Sequence, residues 1–275
     1  MNLSVSEQKL LNDFTAFLVP MLQDEAEVIA KSYQDQDFQV EKKPGKDLRD
    51  QLDVVTRLDR EVEVRLYEKL HKQFPELGFD VEEHKEYKLD KDFTCYIDPV
   101  DGTKYFARQI PLFSTQVALS FKGEPILGMV INPLTKETYF GSELQTSQRN
   151  GNTIAVSSES ELNNAYINAG IVPFRPNWDL EKDWIYKKLL TLEEKVYRVR
   201  KIGSSALLLS WVAQGGFDAA VFLVADPLYD TMAGQALIKY AGGRAENISI
   251  PALLEPRLIC SNKHLFPKLE ELLLS

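Results

Sequence analysis

The stretch that most constrains this chain is Asp98-Pro99-Val100-Asp101-Gly102-Thr103. It follows Phe93-Thr94-Cys95-Tyr96-Ile97, in which Phe93, Cys95 and Ile97 recur at the two-residue spacing of a half-buried strand. Pro99 cannot donate to a sheet ladder and Gly102 tolerates positive φ, so the strand is expected to break where the carboxylates begin. Two acids three residues apart on such a turn can aim at one point, an arrangement that a cation makes comfortable. Oxygen ligands at a strand end suit Mg²⁺, which takes one or two carboxylates and completes its shell with water and substrate phosphate. In isolation the motif reads equally as a solvated Asp-Gly turn, since such pairs are common turn formers. The remaining acidic segments decide between the two.

With 275 residues the chain can bury a large core, in one big domain or two modest ones. Its formal charge of -9 is spread along the chain, which disfavours a nucleic acid polymer as partner, because phosphate-backbone binding needs a basic patch. Cys95 and Cys260 sit in apolar settings and read as buried thiols rather than a disulfide; with scattered histidines they make no zinc site. No run approaches the ~18 consecutive apolar residues of a membrane span, and no charged-then-apolar signal opens the sequence. The expectation is a cytoplasmic protein without a membrane partner.

Residues 6 to 34 read as one or two helices, with Leu10, Leu11, Phe14, Leu18, Met21 and Leu22 at helical spacing and Pro20 as a kink. Residues 35 to 53, with Lys42-Lys43-Pro44-Gly45-Lys46, read as a mobile loop. Thr56 followed by Asp59 is a helix-start signature, with Val62, Leu66 and Leu70 behind it. Capping therefore competes with any chemical role for Asp59. Phe79-Asp80-Val81 reads as a strand leading into Glu82-Glu83, where a solvated charge run is the alternative. Thr115 to Ile131 forms a hairpin about Lys122-Gly123-Glu124, and Asn150-Gly151 marks another. Lys201-Ile202-Gly203-Ser204-Ser205 precedes a helix over Ala206 to Ala213, and Phe217 to Val224 is a nearly continuous apolar strand. Asp230 is placed to cap a further helix that Gly242 closes.

These segments together resemble the inositol monophosphatase family of Mg²⁺-dependent, lithium-sensitive phosphatases. The matching pieces are Val55-Thr56 with Asp59, then Glu82-Glu83, then Asp98 to Thr103, then Asp230 followed eleven residues later by Ala241-Gly242-Gly243. The likeness runs from about residue 6 to 265. The sequence departs from the family pattern in three places: Val81 stands before the acidic pair instead of glycine, and Tyr229 before the last aspartate instead of tryptophan. Leu223 stands where the inositol-specific branch has a glutamate that contacts ring hydroxyls.

The resemblance implies a mixed α/β fold, a layered αβαβα sandwich with an α+β N-terminal lobe over 1–155 and an α/β C-terminal lobe over 156–275. It implies two or three Mg²⁺ per site, with Glu82, Asp98 and the Val100 carbonyl on one and Asp98, Asp101 and Asp230 on another. Thr103, oriented by Asp59, would position the attacking water, with Glu82 also counted in the catalytic set. Substrate contacts would come from Gly102, Thr103, Lys104, Gly203, Ser204, Ser205 and Leu223. The partners implied are a small phosphorylated metabolite and a second copy of the chain as a homodimer.

Two metals flanking an in-line displacement serve both the nucleophile and the poor alkoxide leaving group. Aspartyl-phosphate phosphatases are the rival enzyme class, but there the second Asp follows the nucleophile by two residues, against three from Asp98 to Asp101. A catalytically inactive regulatory relative is the non-enzymatic alternative, and it would be expected to have lost a ligand. On substrate, Lys104, Phe106-Ala107-Arg108, Pro111 and Thr115 are closer to the histidinol-phosphate phosphatase and 3′(2′),5′-bisphosphate nucleotidase branches. Leu223, if it faces substrate, argues against inositol 1-phosphate; its apolar neighbours Phe222 and Val224 equally suit a place in the strand core.

Overall fold

The computed structural model describes residues 3–42, 54–89, 91–173 and 177–275. Helix α1 (Val5–Asp35) begins at a capping box in which Ser4 accepts from the Glu7 amide and the Glu7 side chain accepts from the Ser4 amide. It is a single helix that runs on through Pro20, burying Leu11, Phe14, Leu18, Leu22 and Ile29 on one face. Part of the stretch expected to be a loop instead pairs, as β1 (Val40–Lys42), with β2 (Val54–Thr56); residues 43–53 lie outside those described. Thr56 caps α2 (Arg57–Gln73), with Asp59 closing the reciprocal bond.

The larger sheet has the order β3 (Gly78–Val81), β4 (Phe93–Asp101), β5 (Ser114–Phe121), β6 (Glu124–Asn132), β7 (Glu137–Ser142), β8 (Gln145–Arg149) and β9 (Asn152–Thr153). Only β3 and β4 are parallel; the rest is an antiparallel meander. The short α3 (Thr103–Phe106) interrupts it after β4. The smaller sheet is built from β10 (Tyr166–Gly170), β11 (Arg198–Arg200), β12 (Ala219–Phe222), β13 (Arg244–Ile248) and β14 (Arg257–Ser261). Its spatial order is β11-β10-β12-β14-β13. Helices α4 (Trp178–Lys195), α5 (Ser205–Ala213), α6 (Leu228–Tyr240) and α7 (Phe266–Leu274) complete the chain.

The period-2 alternation of strands sorts these elements into layers. Cys95, Ile97, Val117, Leu119 and Met129 turn to one face of the larger sheet, against Leu18, Leu22, Val62 and Leu66 of α1 and α2. Tyr96, Ala118, Val130 and Tyr139 turn to the other, against α5 and α6. Those two helices also receive Ala220, Phe222, Leu258 and Cys260 from the smaller sheet. The far face of that sheet, with Ile167, Val199, Val221 and Ile259, packs on Ile185 and Leu192 of α4 and Phe266 and Leu269 of α7. The order is helix, sheet, helix, sheet, helix. Gly128 marks how close the layers run: a Cβ there would lie 2.2 Å from the Ala233 carbonyl oxygen of α6. Both cysteines are buried and free. Among the described residues no helix is long and apolar enough to cross a membrane.

Candidate active site

Strand β4 does not break at Asp98, as its proline and glycine suggested; it continues to Asp101 through a bulge. Asp98 pairs with Gln116 and Asp101 with Ser114, so three steps on β4 match two on β5. In a regular strand, residues three apart point to opposite faces. The extra residue reverses this and puts both acids on one side, where Gln116 and Ser114 meet them. Gln116 Nε2 donates to Asp98 Oδ2 at 3.1 Å and to the Asp230 carbonyl at 3.1 Å. Ser114 Oγ donates to Asp101 Oδ2 at 3.1 Å.

The bulge hands over to Gly102, which adopts φ +89° and starts α3. A side chain is excluded there by conformation and by space, since a Cβ would lie 2.9 Å from the Leu112 carbonyl oxygen. This turn sets the Thr103 hydroxyl 2.9 Å from both Asp59 Oδ1 and the Val100 carbonyl oxygen. Asp59 Oδ2 meanwhile takes the Thr56 amide at 3.0 Å and the Thr56 hydroxyl. One buried carboxylate thus caps α2 with one oxygen and holds Thr103 with the other. Burial pushes the Asp59 carboxyl up to about 6, and the negative charge of Glu82 adds to the effect.

Asp101 is held differently. Its oxygens accept from the Ser205 amide at 3.0 Å, the Ala206 amide at 3.1 Å, and the hydroxyls of Ser114 and Ser204. It therefore stands at the N-terminus of α5, where the helix dipole favours a negative group. Burial still pushes it up to about 6, against the lowering effect of those four donors. Asp230, expected to cap α6, lies inside its first turn instead; Pro227 occupies the cap position.

These residues surround a cleft of about 560 Å³. Glu82, Asp98, Val100, Asp101 and Asp230 all line it, as do Gly102, Thr103, Lys104, Gly203 and Ser205. Ser204 lies behind the wall, fully buried, with its hydroxyl on Asp101. Leu223 takes the place in the strand core. It touches the cleft wall, but it has no exposed surface and packs in the apolar layer with Ile167, Val221 and Ile259. It follows β12, whose alternate residues already fill that layer, so it offers a substrate no accessible side chain. Lys85, Asn168 and Lys201 also line the cleft and were not singled out from the sequence; nothing in their local patterns marks them.

One atom speaks for a cation. Asp98 Oδ1 is buried and has no hydrogen-bond partner. Burial, then the like charges of Glu82, Asp101 and Asp230, hold the Asp98 carboxyl well above its ordinary range. A buried carboxylate so placed costs free energy unless a positive charge joins it. The donor set, carboxylates and a backbone carbonyl, is that of a hard cation such as Mg²⁺. Among the described residues no three acidic, imidazole or thiol groups are already drawn together as a metal cluster. The fit therefore rests on the unpartnered oxygen and the charges around it.

The sequence pattern of the inositol monophosphatase family matches residues 10–274. The chain is 33% identical over 231 residues to the inositol-1-monophosphatase of Rhizobium meliloti, covering 82% of this chain and 85% of that protein. It is 32% identical over 197 residues to a fructose-1,6-bisphosphatase/inositol-1-monophosphatase of Thermotoga maritima, covering 72% of each. The solved structure of a Thermotoga maritima IMPase superposes with a TM-score of 0.79 at 27% identity, over 95% of this chain and 96% of that one.

Proposed function

Because this chain belongs to the inositol monophosphatase family, a family of phosphatases, we propose that it hydrolyses a small phosphate monoester in a Mg²⁺-dependent reaction. The observation that carries the reading is the unpartnered, buried Oδ1 of Asp98 beside Glu82, Asp101 and Asp230. Those four carboxylates and the Val100 carbonyl would hold the metal, as two or three ions. Bound there, Mg²⁺ supplies charge neutralisation for the phosphoryl group and a water of lowered pKa.

The chain's own groups do the rest. The Thr103 hydroxyl has one hydrogen and two acceptors at 2.9 Å, Asp59 Oδ1 and the Val100 carbonyl. While it donates to Asp59, its lone pairs face away from that carboxylate and can take a hydrogen bond from a water. Asp59 thus positions Thr103, and Thr103 positions the water. The amides of Gly102 and Thr103 open the first turn of α3, where amides have no intrahelical partner, and can bind phosphate oxygens. Lys104, Gly203 and Ser205 line the same space, while Ser204 acts through Asp101. The site is read as shared between the 1–155 lobe and Asp230 of the 156–275 lobe. A homodimer, lithium sensitivity and a cytoplasmic location belong to this reading and are supported by the family alone.

The test is phosphate release with Mg²⁺ from inositol 1-phosphate, fructose 1,6-bisphosphate, histidinol phosphate and adenosine 3′,5′-bisphosphate. Turnover of at least one, lost in EDTA, is expected. No turnover of any, by protein that binds Mg²⁺, would favour a regulatory relative.

A further inference from the structure

We propose that Glu63 is a positioning residue for Glu82, and that it sets the affinity of the site for its cation. The inference rests on the reading that Glu82 holds a divalent cation. Glu63 lies in α2, one turn beyond Asp59, and is fully buried. Both its oxygens are committed to the segment that follows Glu82. Oε2 accepts from the Glu83 amide at 2.8 Å; Oε1 accepts from the His84 amide at 2.7 Å and lies 2.8 Å from His84 Nδ1. The Glu83 N–H belongs to the peptide plane that starts at the Glu82 carbonyl carbon, so that bond fixes the backbone on which the Glu82 side chain turns.

The same helix face continues the grip. Tyr67, one turn beyond Glu63, stacks on Tyr87 with centroids 3.9 Å apart, and Tyr87 stacks on His84 at 5.2 Å. Asp59, Glu63 and Tyr67 thus form a four-residue-spaced stripe beside the core stripe Leu58, Val62 and Leu66. Asp59 reaches Thr103 while Glu63 and Tyr67 reach residues 83–87, so one rigid helix holds the water-positioning pair and the backbone of Glu82 in a fixed relation. A carboxylate suits the place because each of its oxygens faces a backbone N–H donor. In Glu63→Gln the new amide N–H₂ would face a backbone N–H, and the turn would have to shift. Hydrogen-bond partners behind metal ligands typically carry 10–100-fold in metal affinity.

The experiment is calorimetric titration of the full chain with Mg²⁺ alone, for wild type, Glu63→Gln, His84→Ala and Glu82→Gln, with thermal unfolding in EDTA to confirm folding. Glu63→Gln should weaken Mg²⁺ binding about 10–100-fold. Its kcat at saturating Mg²⁺ should stay within about threefold of wild type, since the ligand itself remains. His84→Ala removes one of three bonds and should weaken binding by a smaller factor, which keeps the test alive should Glu63→Gln fail to fold. Folded Glu63→Gln, or His84→Ala in its place, with wild-type affinity would overturn the proposal while Glu82→Gln still loses binding. If wild type and Glu82→Gln bind Mg²⁺ alike or not at all, the cation reading itself falls, and the proposal with it.

Discussion

Asp101 and Ser205, 104 residues apart in sequence, meet where strand β4 ends and helix α5 begins: the Ser205 amide donates to Asp101 Oδ1 at 3.0 Å. The Ala206 amide and the Ser204 hydroxyl join the same carboxylate. A residue expected to be purely a metal ligand is thus also the cap of a helix in the middle layer. Four protein donors account for about as many lone-pair sites as a carboxylate has, so any metal at Asp101 shares it with the fold.

Asp101→Ala should therefore cost stability even without metal. Removing a helix cap and its hydrogen bonds at about pH 5, where the folded carboxyl is largely protonated and no buried charge is relieved, should lower the unfolding free energy by about 2 kcal/mol or more. Urea unfolding in EDTA measures it. A loss below about 0.5 kcal/mol, the scale of an ordinary surface change, would show that the α5 contacts carry little.

Stability of the cation-free protein should fall as pH rises from about 4 to about 6. Burial holds Asp59 and Asp101 at about 6 in the folded chain, against an ordinary 3.8, so the folded state binds more protons than the unfolded state across that window. The contribution is complete below 3.8 and is lost as pH passes the folded value. Asp98 acts in the same direction. Melting temperatures in EDTA should show the decline, Asp59→Asn should make it shallower, and Mg²⁺ should restore stability at pH 7. An Asp59→Asn profile parallel to wild type would be inconsistent with the burial effect.

Thr103→Ala should lower kcat by about 10²-fold or more, the scale of a positioned proton transfer, with Mg²⁺ affinity nearly unchanged. Initial rates and a Mg²⁺ titration separate the two. Full activity in the variant would leave Asp59 with the capping of α2 alone.

Leu223→Glu should destabilise the protein rather than redirect its specificity. The position has no exposed surface and lies among Ile167, Val221 and Ile259. An unpaired carboxylate there should cost more than about 3 kcal/mol. A stable Leu223→Glu variant with raised kcat/KM for inositol 1-phosphate would put the side chain back in the cleft.

What could be read beforehand was whatever chemistry writes locally. Asp98, Asp101 and Thr103 lie within six residues, and their turn chemistry and spacing marked them. Thr56 with Asp59 announced a helix start, which stands as a reciprocal cap. The bulge that keeps β4 intact was not legible, because it depends on Gln116 and Ser114 of the neighbouring strand. Which way Leu223 faces was open for a related reason: counting places a residue along a strand, while the layer it faces is set by α4, α7 and the strands beside it. Glu63 and Arg257 went unread because their partners lie far off in sequence. Arg257 is fully buried and binds Glu181 and the Leu223 carbonyl, anchoring the wall of the cleft from behind. The helix α7 could have been read and was not, with Phe266, Leu269 and Leu273 at helical spacing about Pro267, whereas α4 and β13 mix polar and apolar residues whose period shows only once the layers are in place.

Whether the acids around Asp98 hold a catalytic cation is decided by phosphate release from wild type and Asp98→Asn, each with Mg²⁺ and with excess EDTA. Wild type should turn over substrate only with Mg²⁺, and Asp98→Asn should show nearly no turnover in either condition although it remains folded. Equal rates of hydrolysis by wild type in Mg²⁺ and in EDTA would mean that these acids hold no catalytic cation.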